Sequence, residues 1–189
     1  MLKLQEKYQK EAIPQMMKKF GHKNKMAVPK IAKVVINSGF GKIISGKSSD
    51  EHKKVQEAIL NDLALITSQK AILTKAKKSI ASFKIREGML IGAAVTLRQK
   101  RMFDFLDRFI HIVLPRTRDF QGIKSESFDK RGNLTVAIKE HIVFPEIMPE
   151  KIKFIFGLEV TITTTAQKRE EGIELLRLLG FPIWQKKVK

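Results

Sequence analysis

The sequence predicts an α+β fold: a single domain over 1–189 with a mostly antiparallel sheet, helices packed on one face and a projecting basic hairpin loop. Three observations carry this prediction. Apolar residues recur at helical spacing in several segments. Short β-branched runs bounded by glycine or polar residues fall between those segments. Two of these runs flank a strongly cationic stretch, which reads as a hairpin loop. With 189 residues, 43% of them hydrophobic, the chain can bury one substantial core, and no internal repeat or low-complexity linker divides it.

In chain order, Leu4, Tyr8, Ala12, Met16 and Phe20 recur every four residues, so Lys3 to Phe20 reads as an amphipathic helix stopped by Gly21, with Pro14 expected to break or kink it. "IAKVVINSG", Ile31 to Gly39, reads as a strand. Ser48 to Glu51 offers caps and first-turn acids for a second helix, with Val55, Ala58, Ile59, Leu63 and Ile66 on one face and an end near Thr67. "AILT" at Ala71 to Thr74 and "GAAVTLR" at Gly92 to Arg98 read as the strands beside the loop, with "ASFKIREG" as a possible third. Met102, Phe103, Leu106, Phe109, Ile110 and Val113 define a helix that Pro115 is expected to end, and their aromatic stripe reads as core. "NLTVAIKE" and "GLEVTITTTA" predict two more strands. Lys168 to Leu179 predicts a last helix, stopped by Gly180, before a flexible tail at about 184–189.

The formal net charge is +18. Such a field opposes compaction unless a polyanion neutralises it, and a nucleic acid is the leading partner. The charge is uneven: residues 1–100 hold 21 Lys or Arg against 7 Asp or Glu, and residues 101–189 hold 16 against 12. Binding through phosphates needs clustered cations, and the first part supplies them. The absence of cysteine excludes disulfides, zinc thiolates and cysteine nucleophiles and fits a reducing compartment. No apolar run approaches the roughly 18 residues of a membrane span, no signal-peptide core stands at the N-terminus, and Glu6 and Glu11 argue against a transit peptide. A soluble intracellular protein with no membrane partner is expected.

"GKIISGKS", Gly41 to Ser48, matches the phosphate-loop pattern between a predicted strand and a predicted helix, with Lys47 for a terminal phosphate and Ser48 for magnesium. A P-loop-type nucleotide-binding protein is therefore the alternative reading. Against it, Ile43 and Ile44 place branched side chains where an anion nest wants small ones, and no later strand ends in a metal-binding aspartate. His22, His52, His111 and His141 lack metal-ligand spacing and read as packing or surface residues. Asp104 and Asp107, beside Arg101 and Arg108, read as surface ion pairs. No enzyme, metal or cofactor is called for. For RNA, the useful signal is cations near uncharged polar groups that can reach a 2′-hydroxyl, such as Asn37, Gln69 and Thr96 at predicted strand ends or edges.

The stretches "INSGFG", "QKAILTKAKKSIASFKIREG", "IGAAVTLR", "LPRTRDFQGI", "SFDKRGN", "HIVFPEI" and "GLEVTITTTA" stand in order over nearly the whole chain. In these the chain resembles the bacterial-type family of large-subunit ribosomal protein five, which binds 5S ribosomal RNA. The resemblance implies a non-catalytic place in the central protuberance of a cytoplasmic ribosome. It implies a grip on 5S rRNA by Lys30, Lys33, Asn37, Gly39, Gly41, Gln69, Lys70, Thr96 and Arg98, and contact with 23S rRNA. It further implies that the loop at about 75–90 reaches the peptidyl-site (P-site) tRNA through Lys75, Lys77, Lys78, Ser79, Ser82, Lys84 and Arg86. Small-subunit ribosomal protein thirteen and other central-protuberance proteins are the implied protein partners. A basic, chaperone-like RNA module outside the ribosome is a third reading. The chain departs from the family where glycine is usual at Ser68, Gln99 and Lys130, proline at Ala71 and Leu90, methionine at Ser38 and glutamate at Lys100, and its segment from Gly41 to Gln69 is longer.

Overall fold

In the computed structural model, which describes residues 4–184, five strands form one sheet in the order β2-β3-β1-β5-β4. They are β1 (Ile31–Gly39), β2 (Ile72–Lys75), β3 (Leu90–Leu97), β4 (Leu134–Ile138) and β5 (Leu158–Thr164). Neighbours run antiparallel. Ile72 pairs with Ala94 and Thr74 with Gly92 across β2 and β3. Phe40, just past β1, donates its N–H to Ile91 near the start of β3. Lys30 meets Thr165 at one end of the β1–β5 pair and Ser38 meets Gly157 at the other. β2 and β4 are the edges. The expected α+β class and the positions of all five strands hold, whereas "ASFKIREG" forms no third strand beside the loop. A 3₁₀ turn at Ala81–Phe83 and one isolated bridge, Ile80 to Ile85, take its place. Lys84 and Gly88, both in left-handed geometry, interrupt the extended backbone that a regular ladder needs.

The chain divides into two compact units. One gathers the described residues up to Val34, Leu97–Val136 and those from Thr161 on; the other gathers Val35–Thr96 and Ala137–Val160.

In the first unit the N-terminal helical path is α1 (Leu4–Lys7), a π turn (Tyr8–Ala12) and α2 (Ile13–Phe20). A strict four-residue repeat from Leu4 to Phe20 would drift by about 160° around a regular α-helix. The π turn absorbs one residue and brings most of that drift back. Leu4, Ala12 and Met16 are thus all buried, and Tyr8 reaches the carbonyl of Pro29 through its hydroxyl at 3.2 Å. Pro14 does not break the path. The widened turn, in which Ile13 donates to Tyr8 five residues back, moves aside the carbonyl that a proline ring would strike in an α-helix.

The same device recurs in α5 (Gln99–Arg108), a second π turn (Phe109–Val113) and α6 (Leu114–Arg116). Leu114 donates to Phe109, and the helix runs through Pro115 to end at Thr117 rather than at the proline. The aromatic stripe is core as expected, with Phe105 and Phe109 stacked at 5.7 Å and Phe103 only half-buried. The last helix, α7 (Arg169–Leu179), lies so close to the 129–133 turn that a Cβ on Gly172 would sit 2.5 Å from the Gly132 Cα. Glu174 on α7 holds Lys19 at 2.9 Å and Arg177 at 2.6 Å. Burial pushes its carboxyl up, but those two cations more than reverse this and leave it below the usual carboxylate range.

In the second unit, α3 (Gly41–Ile44) follows β1 directly and α4 (Ser49–Thr67) follows α3. Val55, Ile59, Leu63 and Ile66 of α4 are fully buried, as the spacing predicts. Ser48 and Glu51 form a capping box at its start, and Ser68 ends it in left-handed geometry with φ 52°. His141 is wholly buried, stacked on Phe156 at 4.0 Å and 3.5 Å from the Asp62 carboxylate. The expected tail from Trp184 on falls largely at 185–189, outside the described residues; Trp184 itself is half-exposed.

Candidate nucleic-acid interface

Alternation along β1 sends Val34, Ile36 and Ser38 inward and leaves Asn37 and Gly39 exposed. Ser38 is tolerated in the interior because its hydroxyl donates to the Gly157 carbonyl at 2.8 Å. On β3, Val95 and Leu97 are buried and Thr96 is exposed between them. Asn37 and Thr96 are thus on the uncovered side of adjacent central strands. Gln69 joins them: its side-chain amide donates to the Thr96 carbonyl at 3.2 Å, tying the end of α4 to β3. Exposed Lys70 follows directly.

Gly39 lies in the open, where a Cβ would meet nothing within 4 Å. Beside Asn37 and Gly39 a shallow depression is lined by Ala137, Ile138 and Glu159. Gly41 is half-buried, with the Ile85 side chain 3.4 Å from where a Cβ would be. Lys30, Lys33 and Arg98 belong to the first unit; Lys30 and Arg98 are exposed and Lys33 is half-buried.

The loop between β2 and β3 is cross-linked along its length. Ala76 and Met89 share one backbone bond, Ala76 and Gly88 another, and Ile80 and Ile85 exchange two. Ser79 accepts the Glu87 N–H at 2.9 Å. Its cations Lys75, Lys77, Lys78, Lys84 and Arg86 are all exposed, as are Ser79 and Ser82. Three apolar residues on this surface escape a reading of the sequence: Ile72 on edge strand β2, 73% exposed, Ile80 in the loop, 43% exposed, and Phe83 at the loop tip, 62% exposed. All three are legible only as hydrophobic residues, which a pattern assigns to the interior by default.

The phosphate-loop lookalike does not form a phosphate cradle. Ile43 and Ile44 donate their N–H groups to Phe40, Ser45 to Gly41 and Lys47 to Ile44, so these amides are engaged within the chain. Lys47 rests 4.8 Å from the Phe154 ring centre, and Ser48 is occupied in the capping box. The match to the motif is a coincidence of letters on a short helix, and the nucleotide-binding alternative loses its geometry. Among the described residues no group of three or more His, Cys, Asp or Glu is placed to hold a metal ion. No helix among them is long and apolar enough to cross a membrane.

Two of the departures are conformational substitutions. Ser68 and Gln99, where the resembled family usually has glycine, both hold left-handed backbone, at φ 52° and 51°. The turn geometry is kept without the residue that adopts it at least cost.

The chain is similar to known proteins over nearly its whole length. A family model described as "Ribosomal protein L5" matches residues 24–86, and a second model, which describes the C-terminus of the same ribosomal protein family, matches residues 90–183. The "Large ribosomal subunit protein uL5" of Clostridium beijerinckii is 52% identical over 98% of this chain and all of its own length. That of Clostridium botulinum strain Loch Maree is 53% identical, and that of Halothermothrix orenii 50%, each over 96% of this chain and 98% of its own length. Two family models that together span residues 24–86 and 90–183, and identity of this order over full lengths, leave one conclusion: the chain belongs to the L5 (uL5) family of large-subunit ribosomal proteins.

Proposed function

We infer that this non-enzymatic ribosomal protein grips 5S rRNA in the central protuberance of the large subunit with the open side of its sheet. The observation that carries this reading is the set of uncharged polar groups on β1, β3 and the end of α4. Asn37, Gln69 and Thr96 offer short donors and acceptors on a firm surface, with Gly39 allowing close backbone approach. This chemistry suits 2′-hydroxyl and shape recognition rather than base reading. Lys30, Lys33, Lys70 and Arg98 supply the salt-sensitive part of the affinity. The loop at 75–90 contacts P-site tRNA through its exposed cations, other surfaces meet 23S rRNA, and small-subunit protein thirteen is a bridge partner. On this reading residues 1–189 serve as a single ribosomal RNA-binding domain, in the cytoplasm.

The test is a salt titration of binding to 5S rRNA against an unrelated RNA of equal length, with Asn37→Ala, Gln69→Ala and Thr96→Ala alongside the unaltered chain. A preference for 5S rRNA that survives moderate salt and falls with those substitutions is the expected result. Equal binding to both RNAs, vanishing together with salt, would reduce the chain to a general polycation, and failure to co-sediment with large subunits would favour an RNA module outside the ribosome.

A further inference from the structure

The loop tip has a feature that charge alone does not account for. Phe83 is 62% exposed at the far end of a loop whose exposed side chains are mostly cations, with Ile80 43% exposed, and leaving most of an aromatic ring in water is unfavourable for the free protein. The backbone holds it there. The 3₁₀ turn Ala81–Phe83 closes with Lys84 in left-handed geometry at φ 52°, its N–H donating to Ala81. Below the turn, Ile80 and Ile85 exchange backbone bonds, and the Ile85 side chain packs towards Gly41.

A second support comes from outside the loop. The hydroxyl of Ser45, on the segment leaving α3, donates to the Phe83 carbonyl at 3.1 Å across 38 residues of sequence. Ser45 is itself fixed by its N–H bond to Gly41. The stretch that mimics a phosphate loop therefore acts as a strut. It ties down the Phe83 backbone while the ring stays in solvent.

We propose that Phe83 is a nucleobase-stacking platform, positioned by Ser45, and that the loop engages RNA carrying an exposed base face rather than phosphates alone. A flat ring amid Lys77, Lys78, Lys84 and Arg86 matches the two halves of a nucleotide, π-face and phosphate. A pre-ordered backbone leaves only the ring's own rotations to be fixed on contact, so the strut raises affinity without touching RNA itself. An apolar protein partner is the competing occupant, and the surrounding like charges disfavour it.

This rests on the reading of residues 75–90 as an RNA-facing loop, which the double variant Lys77→Ala/Lys78→Ala tests separately through its salt slope. The full-length chain is titrated with a short single-stranded RNA and with a blunt RNA duplex of equal phosphate count. Phe83→Ala and Phe83→Leu are expected to weaken single-strand binding between roughly 5-fold and 100-fold, with the salt slope and duplex binding unchanged, while Phe83→Tyr stays within about twofold. Ser45→Ala should weaken it less and speed amide exchange at Lys84 and Ile85. Thermal melting checks that every variant folds. Wild-type binding by Phe83→Leu would turn the platform into a mere apolar contact and overturn the stacking claim. Full affinity in Phe83→Ala, or a loss seen equally on the duplex, would also overturn it. None of these outcomes bears on the grip by Asn37, Gln69 and Thr96, which is measured with the loop intact.

Discussion

Ser68 and Gln99 show at the level of single residues how a backbone requirement outlasts the residue best suited to it. Both sit in the left-handed region, where an L-residue with a Cβ is strained by about 1 kcal/mol, and neither has a buried role that would offset this. Ser68→Gly and Gln99→Gly are each expected to raise stability by roughly 0.5 kcal/mol, since glycine's larger unfolded-state entropy returns part of the gain. Urea midpoints with an unchanged m-value would check it, and a loss of stability in either variant would show that the side chain has a role.

His141 sets a pH dependence of opposite character. Burial holds its imidazole below its ordinary pKa despite the nearby Asp62 carboxylate. The unfolded chain therefore takes up a proton that the folded chain resists. Stability contributed by neutral His141 is present above about pH 6.5 and is lost as pH falls below that value towards the folded one. Asp62 is pushed up by burial, so it responds with the opposite sign, and only as the carboxylate range is approached. Unfolding midpoints measured from about pH 7.5 to about pH 5 should decline below about 6.5 and flatten in His141→Gln; an equal decline in both proteins would assign the effect to other groups.

Helices in this chain depend on devices at their ends and interruptions more than on propensity. The capping box of α4 satisfies the Glu51 N–H from Ser48 and the Ser48 N–H from Glu51. Hydrogen bonds from Ser48 hold the Glu51 carboxyl below its usual range. Ser48→Ala should cost about 1 kcal/mol of stability, a fall in melting temperature of roughly 2 to 4 °C. It should leave nucleotide binding at background in both forms, as should Lys47→Ala; specific ATP or GTP binding lost with either change would restore the phosphate-loop reading. The two π turns make the complementary point. Each stands just ahead of a proline, and each lets the helix pass a residue that a strict reading of the sequence treats as a stop.

For the molecule as a whole, the charge of +18 is the dominant interaction with its surroundings. The affinity for any RNA should fall linearly on a log–log plot against salt. On the proposed reading, Lys70→Ala and Arg98→Ala should each reduce the slope by roughly 0.7 to 0.9, whereas Thr96→Ala should lower affinity at every salt with the slope intact. A Thr96→Ala slope that changed as much as that of Lys70→Ala would mean the polar residues act only by placing cations.

The strands, the helices and the basic surface are legible in the sequence because each follows from local rules: period two in β1 and β5, apolar spacing in α4, glycine after α7, and counted charge. The family is legible because long ordered stretches cover the chain. What the sequence leaves open is where neighbours in space change the local answer. Proline marks a helix end by its own chemistry, but a π turn one or two residues earlier removes the clash. Gly41–Ser48 reads as an anion nest by its letters, but its amides bond within the chain, Lys47 turns to Phe154 and Ser45 to Phe83. The joining of Gln69 to Thr96 across 27 residues, and the exposure of Phe83, are likewise settled by packing. Local sequence determines which conformations a segment favours; only tertiary contact decides which donors, acceptors and rings remain available to a partner, because that depends on what the rest of the chain has already bound.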